Sequence, residues 1–191
     1  MKRSEKPKKK RRNWIAACCH DPSQNEVHLA ATAYVKAGLS LIPIRADGTK
    51  MPAFERLPRR WCPETRTEKR RWAVYREHPP TAAELDCWFL DDRNRSDCGM
   101  SILAGAISGN LEIIDLDNWS VVEPWEKLVE KQAPGLLEKL VRVRTPRPGM
   151  HVYYRCKTIG GSTKVARVPE TDTTTGKLKP KTIIETKGEG A

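Results

Sequence analysis

Two carboxylates stand two residues apart at the end of an apolar, β-like run, Leu111-Glu112-Ile113-Ile114-Asp115-Leu116-Asp117. A strand points residues i and i+2 to one face, about 6 to 7 Å apart at Cα for a rise of roughly 3.3 Å per residue. Oxygens spaced in this way can converge on divalent cations. The competing reading of the same residues is a strand that ends in a solvated, Asp-rich turn. Two later segments each deliver one more group suited to the same chemistry. Residues 141–155 form two alternating runs joined by Thr145-Pro146-Arg147-Pro148-Gly149, which predicts a β-hairpin with His151 at its mouth. Residues 181–185 are a short, β-branched strand that delivers Glu185 just before a glycine-containing loop. Three strands thus each end in a candidate ligand or acid–base group.

The elements that must position these groups can be read around them. Residues 26–37 predict an amphipathic helix ended by Gly38, followed by a strand over 40–44 and a turn at Asp47-Gly48. Residues 52–80, rich in Arg, Glu and Pro with Trp61, Trp72 and Tyr75, read as a loop-rich excursion. Its aromatics and arginines either stack on and hold a nucleic-acid strand or anchor the loop onto its own domain. Thr81 reads as an N-cap with Glu84 completing a capping box, the helix running to about Leu90. Cys87, beside Leu85, Trp88 and Phe89, reads as a buried thiol. Residues 100–104 and 111–116 predict neighbouring strands, residues 124–140 a helix interrupted near Pro134-Gly135, and residues 160–180 a flexible or hairpin loop. On the strand before the His151 hairpin, Arg142 and Arg144 share a face, as do His151, Tyr153 and Arg155 on the next.

Composition places these elements in one domain with a tail. The 191 residues, 38% of them hydrophobic, can support a single core. The net charge of +11 is uneven, because residues 1–12 hold eight basic residues against Glu5, leaving only +4 for the rest. Residues 1–25 are therefore expected to be a basic, disordered tail ahead of a domain over 26–191. The tail is too polar for a signal peptide or a membrane span; it suits phosphate-backbone binding, a nuclear-type address or plain solvation. No membrane partner is expected. The six cysteines contain no Cys-x-x-Cys pair, which favours a reduced, cytoplasmic setting, and Cys18-Cys19-His20 with His28 makes a poor zinc site.

Six pieces of the chain, in order, resemble one family. They are Gly38-Leu39-Ser40-Leu41-Ile42-Pro43-Ile44, Lys50-Met51-Pro52, the helix-like run from Thr81 to Phe89, Ser108-Gly109-Asn110 leading into Asp115-Leu116-Asp117, Thr145-Pro146-Arg147-Pro148-Gly149-Met150-His151, and Ile184-Glu185-Thr186-Lys187-Gly188-Glu189-Gly190. In that order they resemble the bifunctional DNA primase/polymerase N-terminal domain of the archaeo-eukaryotic primase superfamily, found in replication proteins of plasmids, phages and other mobile elements. The resemblance implies an α+β fold whose catalytic sheet is antiparallel-rich and related to the RNA-recognition motif, with helices packed on its back. It also implies a domain incomplete at its C-terminal end, since the family continues through another strand.

By position, the resemblance implies Asp115, Asp117 and Glu185 as ligands of two Mg²⁺ or Mn²⁺ ions and His151 as a contact to the triphosphate of the incoming nucleotide. Glu185 stands where relatives often have Asp and keeps a hard oxygen ligand. Lys50 is expected to contact nucleotide or primer phosphate, and Arg144 and His151 are expected to be the phosphate-facing residues of their hairpin. The implied activity is template-directed nucleotidyl transfer, in which two metals about 3.5 to 4 Å apart serve both the attacking and the leaving oxygen. Implied partners are DNA template and primer, dNTPs or NTPs, and a replicative helicase. Two other classes keep the same residues in play: another Asp-x-Asp metal enzyme, such as a nuclease or glycosyltransferase, and a catalytically inactive nucleic-acid-binding module.

Overall fold

Helix α1 (Glu26–Lys36) ends where the chain needs a left-handed residue, and Gly38 supplies it at φ 79°, its N–H bonding back to the Val35 carbonyl at 3.0 Å. The computed structural model describes residues 26–90, 98–145 and 148–191. The basic tail, the Cys18-Cys19-His20 cluster and the Pro146-Arg147 step lie outside the described residues. After Gly38 come β1 (Ser40–Arg45), a 3₁₀ turn at Phe54–Arg56, a hairpin of β2 (Arg59–Cys62) and β3 (Thr67–Arg70), and a second 3₁₀ turn at Ala73–Arg76. The excursion over 52–80 is thus more ordered than its composition suggests. Every residue of β3 is exposed, so no apolar alternation announces the strand.

Helix α2 (Ala82–Phe89) starts with the expected capping box, Thr81 N–H donating to Glu84 Oε2 at 2.9 Å and Glu84 N–H to Thr81 Oγ1 at 3.3 Å. It drives Leu85, Trp88 and Phe89 into the first core. Trp88 is fully buried, edge-on to Tyr75 at 5.0 Å and to Phe89 at 6.2 Å. Such pairs add about 0.5–1.5 kcal/mol each beyond burial. Cys87, expected among them, is exposed. At about 100° per residue it falls off the stripe that residues i, i+3 and i+4 share.

Strand β4 (Cys98–Leu103) pairs antiparallel with all of β1. This corrects the expectation that it neighbours the Asp115 strand, to which only a single bridge, Gly105 to Leu111, remains. A 3₁₀ turn at Ala106–Ser108 and the left-handed pair Gly109 (φ 70°) and Asn110 (φ 57°) turn the chain away from β1 before the next strand starts. Two buried hydroxyls knit this layer together. Ser108 Oγ accepts from Ser40 N–H at 2.9 Å and donates to Leu103 O, while Ser40 Oγ donates to Tyr75 O. Both polar groups are satisfied, so their burial is not penalised.

The second layer holds β5 (Leu111–Leu116), α3 (Trp119–Gln132), β6 (Val141–Arg144), β7 (Met150–Arg155), β8 (Thr163–Thr171) and β9 (Leu178–Lys187). The strands form one antiparallel sheet in the order β6-β7-β5-β9-β8, with β5 at its centre. Helix α3 begins earlier than Pro124 suggests, because Asn118 caps it by accepting Ser120 N–H at 3.0 Å, and the proline is carried inside the helix. Of the flexible or hairpin loop expected over residues 160–180, the structure has the hairpin, β8 paired with β9. One sheet face, with Leu116, Met150, Val152 and Ile184, packs on Val122 and Trp125 of α3. The other, with Leu111, Ile113 and Tyr153, packs on Leu39, Ile102 and Ala104 of the first layer. The α+β class is as expected. The helices divide, α3 lying behind the five-stranded sheet and α1 and α2 packing with β1 and β4. Among the described residues no helix is long and apolar enough to cross a membrane.

Candidate active site

The register of the central strand sets the site. Asp115 of β5 pairs directly with His151 of β7 on one side and with Glu185 of β9 on the other. Residues directly opposite in an antiparallel pair share a face, with Cβ atoms about 4.5–5.5 Å apart. Three groups from distant parts of the chain therefore form one row on the face turned away from α3. His151 Nε2 lies 3.3 Å from Asp115 Oδ1, and its Nδ1 is 3.3 Å from the Tyr153 hydroxyl. Lys187, two residues beyond Glu185 on the same face of β9, forms an ion pair with Glu185 and holds Nζ 3.9 Å from Asp115 Oδ2.

These neighbours set the electrostatics. The hydrogen bond from His151 holds the Asp115 carboxyl below the ordinary carboxylate range; partial burial works against it, and the charges of His151, Lys187 and Lys50 reinforce it. Burial, together with Tyr34 and Asp115, pushes the Tyr153 phenol up. The row is thus an anionic centre with cations arranged around it.

Lys50 belongs to this ring. It sits at φ 61°, a left-handed conformation costing a residue with a Cβ about 1–2 kcal/mol. The turn holds it there, as Asp47 Oδ1 accepts from Thr49 N–H at 2.9 Å and Thr49 Oγ1 accepts from Met51 N–H at 3.2 Å. Asp117 follows β5 by one residue and extends the ladder, its N–H donating to Ile183 O at 3.0 Å. Its exposed side chain lines a shallow recess with Asn118, Pro148 and Lys181. Gly149 makes that placement possible. A Cβ there would fall well under 3.0 Å from the Leu116 carbonyl oxygen and 3.3 Å from the Asp117 carbonyl carbon.

Arg144 is not on the same side as His151, contrary to expectation. It pairs with Met150, on the face that receives α3, and its guanidinium lies 5.2 Å from the Trp119 ring centroid. Its neighbour Arg142 pairs with Glu126 of α3 at 2.5 Å. Alternation decides this, since Val143 is the β6 residue opposite His151. Conversely, reading the sequence did not single out Lys187. The signal was present in its i+2 spacing from Glu185.

Asp115 and Glu185 offer hard carboxylate oxygens from directly opposite positions of neighbouring strands, and Asp117 offers another one residue past the end of β5. Among the described residues no three Asp, Glu, His or Cys side chains are gathered as a metal-holding group, and Lys187 is the cation that Asp115 and Glu185 share here. Compared with known families, residues 31–191 match the one described as bifunctional DNA primase/polymerase, N-terminal. A search of curated proteins finds no match to the chain.

Proposed function

We propose, from the premise that the chain belongs to the bifunctional DNA primase/polymerase N-terminal family, that the Asp115, His151 and Glu185 row is the centre at which it joins nucleotides on a DNA template. Membership implies a DNA primase/polymerase that uses DNA and nucleotides as substrates and depends on a divalent metal. The observation that carries the assignment to these residues is the cross-strand register, which gathers three separate segments on one face.

Asp115, Asp117 and Glu185 are the residues that would hold two Mg²⁺ or Mn²⁺ ions, which when bound activate the primer hydroxyl and neutralise charge on the phosphates. The chain's own groups do the rest. His151, oriented by the Tyr153 hydroxyl, donates a hydrogen bond to the triphosphate. Lys50 and Lys187, whose charges both act on Asp115, supply positive charge to the phosphates, and the strained turn at Lys50 supports a binding role for it. The succession β5, α3, β6, β7 and then β9, with β5 and β7 inside the sheet, supports reading the sheet as related to the RNA-recognition motif. The two packed layers support reading residues 26–191 as one primase/polymerase domain behind a basic tail. A setting in phage or mobile-element replication rests on the resemblance alone.

Primer extension with dNTPs and Mn²⁺ tests the assignment. Asp115→Asn is expected to lower extension by about 100-fold or more. Shortening of the primer would replace this reading with a nuclease, and template binding with no turnover would replace it with an inactive binding module.

A further inference from the structure

We infer that the β2–β3 hairpin is a docking element for single-stranded DNA, with Trp61 as the platform on which a base stacks. Residues 59–71 hold six basic residues against Glu64 and Glu68, a net +4 that equals the whole net charge of residues 13–191. Of the net +5 that residues 26–191 carry, +4 therefore sits in one hairpin. One of its faces is committed to the body of the protein: Cys62 is buried, and Arg60 reaches Glu84 at 3.0 Å with its guanidinium 6.0 Å from the Tyr75 ring centroid.

The opposite face is open except at Arg70, whose guanidinium reaches back to the body of the protein. Strand alternation puts Arg59 and Trp61 on it, and the register adds Arg70 and Glu68 from β3. Trp61 is 63% exposed there, with Arg59 exposed beside it and Arg66 exposed at the turn. A large aromatic left in water between arginines fits an occupant with both a π-face and a phosphate charge, which describes a single strand with unstacked bases. A duplex hides its base faces and offers Trp61 nothing to stack on. The hairpin is also tied to the site. Arg70 donates to the carbonyls of Phe54 and Glu55, in the 3₁₀ turn that follows the Lys50 segment within a few residues. Calling the bound strand a template rests on the polymerase reading; the docking itself does not.

The test uses the full chain, basic tail included, without added metal, and follows a labelled oligothymidine of about 20 nucleotides by fluorescence anisotropy, with a duplex of equal length in parallel. Trp61→Ala is expected to weaken single-strand binding by about tenfold or more, to leave duplex binding within about twofold, and to be largely rescued by Trp61→Phe. The double variant Arg59→Gln, Arg66→Gln is expected to lessen the slope of log affinity against log salt by about 1.4. Thermal unfolding of each variant checks that the fold is kept, as expected for exposed positions. Unchanged affinity in Trp61→Ala, as would follow if the hairpin receives an acidic protein instead, overturns the proposal. An equal loss on duplex, or no rescue by Phe, overturns it as well. The two readings can fail separately. A chain that binds single strands through Trp61 yet extends no primer keeps the hairpin and loses the polymerase. A chain that extends primers with template affinity indifferent to Trp61 does the reverse.

Discussion

Asp115 draws its electrostatic character from three neighbours, and its proton affinity is the place to detect them. Its folded pKa lies below the ordinary carboxyl value of about 3.9, with His151 as the leading cause. Its contribution to stability is therefore complete above that ordinary value and is lost as pH falls through the lowered one. Lys187→Met should raise the Asp115 titration midpoint toward the ordinary value, read by carboxyl ¹³C shifts. An unmoved midpoint would mean that Lys187 does not act on Asp115 in solution. Gly149 is the other residue whose identity is dictated by geometry. Gly149→Ala should destabilise the fold by about 1–3 kcal/mol, because the added carbon meets backbone that cannot yield. It should also lower extension by displacing Asp117, and a variant with unchanged melting temperature and activity would show that the β6–β7 turn has slack.

At the scale of elements, legibility followed how local the signal was. The capping box of α2 involves residues three apart and was readable directly, as was the β6–β7 hairpin around its Pro-Gly turn. Thr81→Ala should cost about 1 kcal/mol of stability in denaturant titration, and a cost near zero would mean the box frays. The β2–β3 hairpin escaped reading because its strands are charged and solvated, so the period-2 apolar signal has nothing to register. Helix α3 starts ahead of the span expected over 124–140, because the cap at Asn118 begins it and Pro124 is carried inside. Cys87 went astray through adjacency, since sharing a sequence neighbourhood with Trp88 and Phe89 is not sharing their face.

At the scale of the whole molecule, the two layers are fastened by the segment that follows β9. Glu189 Oε2 accepts the Ala106 N–H at 2.8 Å, the Ala104 N–H donates to Ala191 O at 3.2 Å, and Arg76 donates to the Gly190 carbonyl. Arg155 adds a second tie, donating to the Ala37 carbonyl at the end of α1 at 3.1 Å. Glu189→Ala should cost about 1–3 kcal/mol by leaving the Ala106 donor without its partner. At about 2–4 °C per kcal/mol for a chain of this size, differential scanning calorimetry would resolve the drop. An unchanged melting temperature would show that Glu189 contributes nothing to joining the layers.

By itself the sequence determined the strands that carry Asp115, His151 and Glu185, since alternation, turn residues and β-branching act over a few positions. It also placed each of these three groups near the end of its strand. Only the tertiary structure decided that β5 lies between β7 and β9, that Arg144 turns to α3 instead of to His151, and that Lys187 and Lys50 close around Asp115. Strand order and register are chosen by which apolar faces pack best across the whole molecule, and no local pattern of residues encodes that choice.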